Sequence, residues 1–366
     1  MKDEIYIIGS TAHSLINFRF DLVKSIRKKN PVTVLSQDYN NQTSEKFKKI
    51  KVNYLTYGYR SFFPFNEVIS AIKLIKFFFN KKNIKVISYT FRANVYVGIA
   101  SLFNRNIKHF PMITGLGGIF LSKSDSYPNF IVYFFFKYLL KISLLASQTV
   151  IFQNKYDKKF FNNNIIKKKS LIIPGSGVNL KFYKPEAFPR TITFMMISRI
   201  IKNKGIENFF YVSNKIRKLN KKVKFIFVGS SQKNFSLNKN LINFKKNNDV
   251  QILKWKKNAK HLYKKCSVYI LPSKREGMSR TILEAMSSGR PIITTNVPGC
   301  KETVKNGYNG FIVNYDDNYS LFLAINKFLK KPYLIQKFGL NSRKRAINIF
   351  DVNIVNRKII NLLKKK

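Results

Sequence analysis

Short apolar runs alternate with helix-spaced stretches along this chain, and the alternation starts afresh near residue 190. Residues 5–8, 32–35, 86–89 and 110–113 read as buried strands bounded by turn residues. Residues 17–29 carry Phe18, Leu22 and Ile26 on one helical face, and a further helix runs through Val97 and Leu102. Neighbouring parallel strands need a long crossover, normally a helix, so this alternation predicts parallel sheets covered on both faces. After Pro185 and Pro189 the pattern restarts with strands at 193–197, 224–228, 250–253, 268–271, 291–295 and 311–313. Helices are expected between them at 205–219, 259–264 and 281–288. The expected fold class is therefore α/β, with two doubly wound parallel-sheet domains at 1–187 and 188–345. The stretch after Leu321 reads as helical, and 346–366 is expected to pack back towards the first domain.

The formal charge is +51, from 68 basic and 17 acidic side chains. It favours anionic partners, whether nucleic acid, phosphate-bearing ligands or acidic lipid. The basic residues are mostly lysine and spread along the whole chain, as compositional drift would also produce. Cys266 and Cys300 have no metal-ligand spacing and suggest no disulfide framework. Met1-Lys2-Asp3-Glu4 leads straight into a strand, so no secretory leader is expected ahead of it. Residues 129–147, NFIVYFFFKYLLKISLLAS, come nearest to a membrane span. Lys137 and Lys141 interrupt the run, and with Asn129 and Tyr133 they form a polar stripe. A buried amphipathic helix is the first reading, a membrane-surface helix the second and a span the third. Residues 62–82 mix basic and aromatic side chains in the same way.

The richest stretch is YILPSKREGMSRTILEAMSSGRPIITTNVPGCKETV, from Tyr269 to Val304. An apolar strand ends at Pro272, a polar loop carries Glu276 and Gly277, and a helix starts near Ser279, which is expected to cap it. Ligands of open α/β sheets bind beyond the carboxyl ends of the strands, and a helix N-terminus there suits a diphosphate. Gly277 lets a ligand approach the backbone closely. Glu284 is placed to accept hydrogen bonds from two hydroxyls of a ribose.

This stretch resembles the retaining glycosyltransferases of family 4, whose hallmark is two glutamates with seven residues between them, as Glu276 and Glu284 have. AMSSGRPIITTNVPGCKETVKNGYNGFIV, MMISRIIKNKGIENF, VIFQN and IIPGSGVN carry the resemblance over essentially the whole chain. Within the family, REGMSRTILEAM, TGLGG and PGCKE look most like bacterial enzymes that add N-acetylhexosamine-type sugars to polyprenyl-diphosphate-linked saccharides. The resemblance implies the GT-B fold, two Rossmann-like domains facing across a cleft. It implies that Arg199 and Lys204 grip the donor diphosphate and that Glu276 contacts the donor sugar, these three being the catalytic candidates. Donor binding falls to Glu284 at the ribose, the backbone amides around Gly277, Met278 and Ser279 at the phosphate, Ile252 and Leu253 beside the base, and Arg280 and Thr281 as further donor-binding residues. Trp255 stands where most members have a glycine soon after that strand. The turn Thr114–Gly118 places Gly117 under the donor. Ser10, His13, Asn17 and Arg19, in the loop 10–19, face the acceptor. Arg19 is expected to meet its phosphate. No metal or other cofactor is implied, the UDP-sugar being a substrate.

The partners implied are a nucleotide-sugar donor, a lipid-linked saccharide acceptor and an anionic membrane surface, at the cytoplasmic face of the inner membrane. A hexosyltransferase acting on a capsule or lipopolysaccharide-core acceptor is the alternative within the class. A basic nucleic-acid-binding protein is a distant one, since neither stacking motifs nor a recognition helix is visible. A dinucleotide oxidoreductase wants Gly-x-Gly-x-x-Gly after the first strand, and Gly9-Ser10-Thr11-Ala12-His13 lacks it.

Overall fold

The computed structural model describes residues 3–58, 64–115, 127–161, 163–230, 250–255 and 260–364. Among them β1 (Glu4–Ile8), β2 (Val32–Ser36), β3 (Asn53–Thr56), β4 (Ile84–Tyr89), β5 (Ile107–Ile113), β6 (Val150–Phe152) and β7 (Ser170–Ile172) form one sheet. It is parallel throughout, in the order β3-β2-β1-β4-β5-β6-β7. The winding reverses between β1 and β4, which makes that pair the switch point of the sheet. β1, β4 and β5 are mostly apolar and buried almost end to end, as strands covered by helices on two sides must be. The expected helix 17–29 is instead two helices, Ala12–Phe18 and Phe20–Arg27. They part at Arg19, whose φ of −127° and ψ of −8° leave the helical region.

The helix Tyr127–Ala146 contains most of the stretch 129–147. Leu140, Ser143 and Leu144 are buried, and the Ser143 hydroxyl donates to the Asn94 carbonyl at 2.5 Å on the helix Phe91–Phe103. Phe134, Phe135 and Tyr138 stay exposed. Among the described residues no helix is long and apolar enough to cross a membrane.

His109, on β5, is buried, with Nε2 2.7 Å from the Ser88 hydroxyl. Burial, with Lys169 adding to it, pulls the imidazole down to about 3. The unfolded chain therefore binds a proton near pH 6.5 that the folded chain refuses. Stability is held above that pH and falls as pH drops towards 3, by about 1.4 kcal/mol per unit from this residue. Denaturant melts from pH 7 to 4 should show a shallower fall in His109→Gln than in the wild type.

A second parallel sheet comprises β8 (Thr193–Arg199), β9 (Lys224–Ser230), β10 (Gln251–Lys254), β11 (Val268–Leu271), β12 (Ile292–Thr295) and β13 (Gly310–Val313). Its order is β10-β9-β8-β11-β12-β13, so the switch point lies between β8 and β11. The helices Ile206–Leu219 and Asn318–Lys330 are amphipathic and bury one face, whereas Arg280–Ser287 is buried on every side from Ile282 onward. Phe194, Phe209, Phe225, Met196 and Tyr269 are among its fully buried side chains. Cys266 and Cys300 are free and buried, and burial pushes both thiols up to about 12.

The chain divides into Met1–Ser176 with Asn356–Lys366, and Gly177–Val355. The division at 176/177 precedes the expected one at 187/188. Arginines tie the proline-bearing stretch to the second unit. Fully buried Arg290 donates from Nη2 to the carbonyls of Glu186 and Ala187, and Arg343 Nη1 donates to those of Tyr183 and Ser287. Residues that read as a linker thus lie on the surface of the second unit, held to it by these hydrogen bonds, with Pro185 and Ala187 exposed and Phe188 and Pro189 half-buried. After the helix Tyr333–Arg345 comes a π-helical turn, Ala346–Phe350, and then the helix Val352–Lys364, which carries the chain from the second unit into the first.

Candidate active site

β8 ends at Arg199, whose side chain is exposed and forms no ion pair with another described residue. The chain then turns through the 3₁₀ segment Lys202–Lys204 and starts the helix Ile206–Leu219 at Gly205. Gly205 has φ of +68°, and a Cβ there would lie 2.0 Å from the Pro272 carbonyl oxygen. Only glycine lets this turn press on the end of β11. Ser273 and Lys274 extend the contact, the Ser273 hydroxyl and Lys274 N–H both donating to the Asn203 carbonyl at 3.0 and 2.9 Å. Lys204 and Glu276, 72 residues apart in sequence, meet here. Lys204 Nζ is 2.5 Å from Glu276 Oε1, and both side chains are about one-seventh exposed.

The Glu276 loop is fixed from β12. Glu276 N–H donates to the Pro298 carbonyl at 3.0 Å and Ser279 N–H to the Gly299 carbonyl at 3.2 Å. The left-handed residue of this pair of turns is Gly299, with φ of +78°, and not Gly277. Ser279 stands at the N-cap position of the helix Arg280–Ser287 in extended conformation, but its side chain makes no capping bond. Its hydroxyl lies 3.3 Å from that of Thr281 instead, which corrects the expected cap. The first-turn amides of this helix thus receive no hydrogen bond from Ser279, and the positive end of the dipole opens on the switch point.

Glu284 faces inward from the same helix and is 7% exposed. Its Oε1 accepts from Arg280 Nε at 2.9 Å and its Oε2 from the Tyr263 hydroxyl at 3.1 Å. Burial, reinforced by the charge of Glu284, raises the phenols of Tyr183 and Tyr263 and keeps both as neutral donors. Met278 packs on the core. Ile252 is exposed and Leu253 half-buried on β10, the edge strand, with β9 and β8 between it and β11. Gly117 lies outside the described residues.

In the first unit the stretch 10–19 is mostly helix and not loop, because Thr11 caps it by accepting from Ser14 N–H. Ser10 lies past the end of β1, its hydroxyl 2.5 Å from that of Thr90, which follows β4. His13 is exposed, with Nε2 2.8 Å from Asn17 Nδ2. Arg19 is 2% exposed, its guanidinium 4.7 Å from the centre of the Tyr89 ring. Ser10, His13 and Asn17 are its accessible neighbours in that stretch, whereas Arg19 is placed to hold Tyr89.

Residues 180–345 match the family described as glycosyl transferases group 1. An N,N'-diacetylbacillosaminyl-diphospho-undecaprenol alpha-1,3-N-acetylgalactosaminyltransferase from Campylobacter jejuni is 24% identical, over 97% of each chain. The chain is a GT-B glycosyltransferase. A capsular polysaccharide biosynthesis glycosyltransferase, CapM, from Staphylococcus aureus is 26% identical over 80% of this chain and 79% of that one. Among solved structures, HepE from Anabaena, in complex with UDP and glucose, superposes with a TM-score of 0.79 over 99% of both chains at 17% identity. Sucrose-phosphate synthase from Thermosynechococcus elongatus gives 0.81 over 99% and 98% at 17% identity.

The glycosyltransferase site contains residues that pattern reading left without a role. Tyr263 secures Glu284 and also donates to the Thr281 carbonyl at 3.1 Å, so it pins both the helix start and its carboxylate. Gly299 shapes the Glu276 loop from a neighbouring strand. A lone tyrosine in a lysine-rich helix gives no signal of such a role. The glycine of PGCKE does, since a glycine after a strand end marks a position with special backbone needs.

Proposed function

We propose that this glycosyltransferase moves an N-acetylhexosamine, with retention of anomeric configuration, from a UDP-sugar to a polyprenyl-diphosphate-linked saccharide in bacterial surface polysaccharide or glycan assembly. The observation that carries the reading is the meeting of Lys204, Glu276 and the start of the helix Arg280–Ser287 at one switch point, with Arg199 at the adjacent strand end. Glu276 neutralises Lys204, so Arg199 and the helix start supply the net positive field for a diphosphate. That field stabilises the negative charge that grows on a departing nucleoside diphosphate. Glu284, held on one edge by Arg280 and Tyr263, presents a fixed carboxylate for ribose hydroxyls, and Ile252 and Leu253 flank the base. Ser10, His13 and Asn17 address the acceptor. The lipid-linked acceptor and N-acetylhexosamine donor follow the name of the Campylobacter relative. The name of the Staphylococcus relative supports a capsular acceptor as the second reading.

A screen of UDP-sugars with a polyprenyl-diphosphate saccharide is the test. Acceptor-dependent UDP release with a UDP-N-acetylhexosamine, and an α-linked product by NMR, are expected. Release with no UDP-sugar would refute the proposal.

The reading places the enzyme peripherally at the cytoplasmic face of the inner membrane. Its support is the charge of +51 and the exposed Phe134, Phe135 and Tyr138 beside exposed Lys141. Basic side chains near an anionic surface each contribute about 1 kcal/mol, which salt screens. The protein should sediment with anionic vesicles at low salt and be partly released at high salt. Retention insensitive to salt would contradict a peripheral, charge-assisted attachment.

A further inference from the structure

Beyond β2 and β4 in the first unit lies a polar cluster that the stretch 10–19 does not include. Gln37 follows β2, Arg92 lies in the first turn of the helix Phe91–Phe103, and Glu67 lies in the first turn of the helix Pro64–Phe78. Glu67 is the hub. Its Oε2 accepts from the Tyr96 hydroxyl and, at 3.4 Å, from Gln37 Nε2. Its Oε1 lies 2.8 Å from Arg92 Nη1. That contact has the distance of an ion pair but not the alignment of a hydrogen bond, and Arg92 Nη1 is a buried donor without a hydrogen-bond acceptor. Gln37 is 1% exposed, and its Oε1 is a buried acceptor without a donor. Turning the Gln37 amide over would set two oxygens against each other at Glu67, so the orientation with Nε2 on the carboxylate holds.

An unmatched donor and an unmatched acceptor thus flank one carboxylate. Buried polar groups in folded proteins are nearly always paired, and each exception calls for a cause. The cluster adjoins the switch point between β1 and β4, where open α/β sheets take their ligands. Thr90, between Tyr89 and the helix that carries Arg92, has φ of +75° and ψ of +152°, a region almost confined to glycine. Its hydroxyl is fixed on that of Ser10. A β-branched residue keeps such a backbone only where its surroundings impose it.

We propose that Gln37, Glu67 and Arg92 form a recognition site for a hydroxyl-bearing ring of the acceptor saccharide. A sugar hydroxyl both donates and accepts, so one hydroxyl or a vicinal pair matches Gln37 Oε1 and the Arg92 guanidinium while Glu67 fixes both side chains. The proposal rests on the transfer reaction stated above, and it adds the residues that choose the acceptor. A site built to bond a hydroxyl rejects an analogue lacking it, because its buried groups are then left unpaired.

The test uses the full chain with Arg92→Gln and Gln37→Met, the second close to isosteric. Melting curves confirm the fold of each. Each variant is expected to raise the KM for the saccharide by about 10- to 100-fold. Affinity for UDP should stay at the wild-type value. A deoxy-saccharide lacking the recognised hydroxyl should be a poor acceptor for the wild type and no worse than the parent saccharide for the variants. Unchanged KM in both variants would overturn the proposal, as would a KM that rises for the UDP-sugar instead. Binding of the soluble saccharide diphosphate, followed by saturation-transfer NMR, separates this site from the reaction. A wild type that binds it without transferring sugar, with binding lost in both variants, sinks the reaction and keeps the site. A wild type that does not bind it sinks the site.

Discussion

Arg199→Ala is expected to lower sugar transfer by about 10²- to 10³-fold while leaving the melting curve where it was. The first half follows from the charge that a nucleoside diphosphate develops as it leaves. Removing one preorganised donor aimed at developing charge typically costs that much. Glu276 already faces Lys204 at 2.5 Å, which makes Arg199 the cation with charge to spare at this strand end. The second half follows from exposure. The Arg199 side chain is exposed and forms no ion pair with a described residue, and such surface substitutions usually shift stability by less than about 0.5 kcal/mol. Lys204→Ala should lose activity to a similar extent but also lower stability, because it leaves the half-buried Glu276 carboxylate without its cation. Initial rates of UDP release, read beside circular-dichroism melts, check both. An Arg199→Ala enzyme with wild-type rates would remove this residue from the mechanism.

Gly299→Ala is expected to damage the donor site without touching a charged group. The residue has φ of +78°, and a Cβ on it would stand 2.2 Å from the Glu276 carbonyl oxygen and 2.7 Å from that of Gly277. Neither is the yielding tip of a side chain, so the Glu276–Gly277 backbone must shift. Overpacking and left-handed strain each cost about 1–3 kcal/mol, and the variant should be less stable by at least about 2 kcal/mol. The shift also draws Glu276 off Lys204 and moves the start of the helix Arg280–Ser287. Transfer should therefore fall by more than about tenfold under conditions where the protein is still fully folded. Chemical denaturation gives the first number and kinetics at a temperature well below the melt gives the second. Unchanged kinetics in a folded variant would mean that this loop does not govern the site.

The strands legible in the sequence were mostly those buried on both faces. β1, β2, β4 and β5 in the first unit, and β8, β9, β11 and β12 of the second, are largely apolar runs of a length only a strand explains, while the less buried β10 and β13 show as short apolar runs between turn residues. The ones not legible had a reason to be hidden. β3 carries mostly exposed residues at the sheet edge, and β6 and β7 are three residues each, too short for a period to register. Arg19 looked like one residue of a longer helix because its break is tertiary in origin, where the guanidinium settles on Tyr89. Pro185 and Pro189 looked like a linker because nothing in their own neighbourhood announces Arg290 and Arg343, which arrive from far along the chain to bind the carbonyls around them.

The site divides along the same line. The spacing of Glu276 and Glu284 and the pairing of Arg199 with Lys204 were readable through resemblance to a family, because short motifs keep their order even when the rest drifts. The Ser279 cap was not, since the residue type was right and only the turn of a hydroxyl towards Thr281 decided otherwise. Gln37, Glu67 and Arg92 gave no signal at all, being three ordinary polar residues on three different elements that the sheet order alone brings side by side.

Calorimetric titration of UDP, with uridine as the comparison, into the wild type, Arg199→Ala and Lys204→Ala bears most directly on where the donor's phosphates sit. The account predicts that UDP binds the wild type at one site, that each variant weakens it by at least about tenfold, and that uridine is bound alike by all three. Equal affinity of all three proteins for UDP would contradict it.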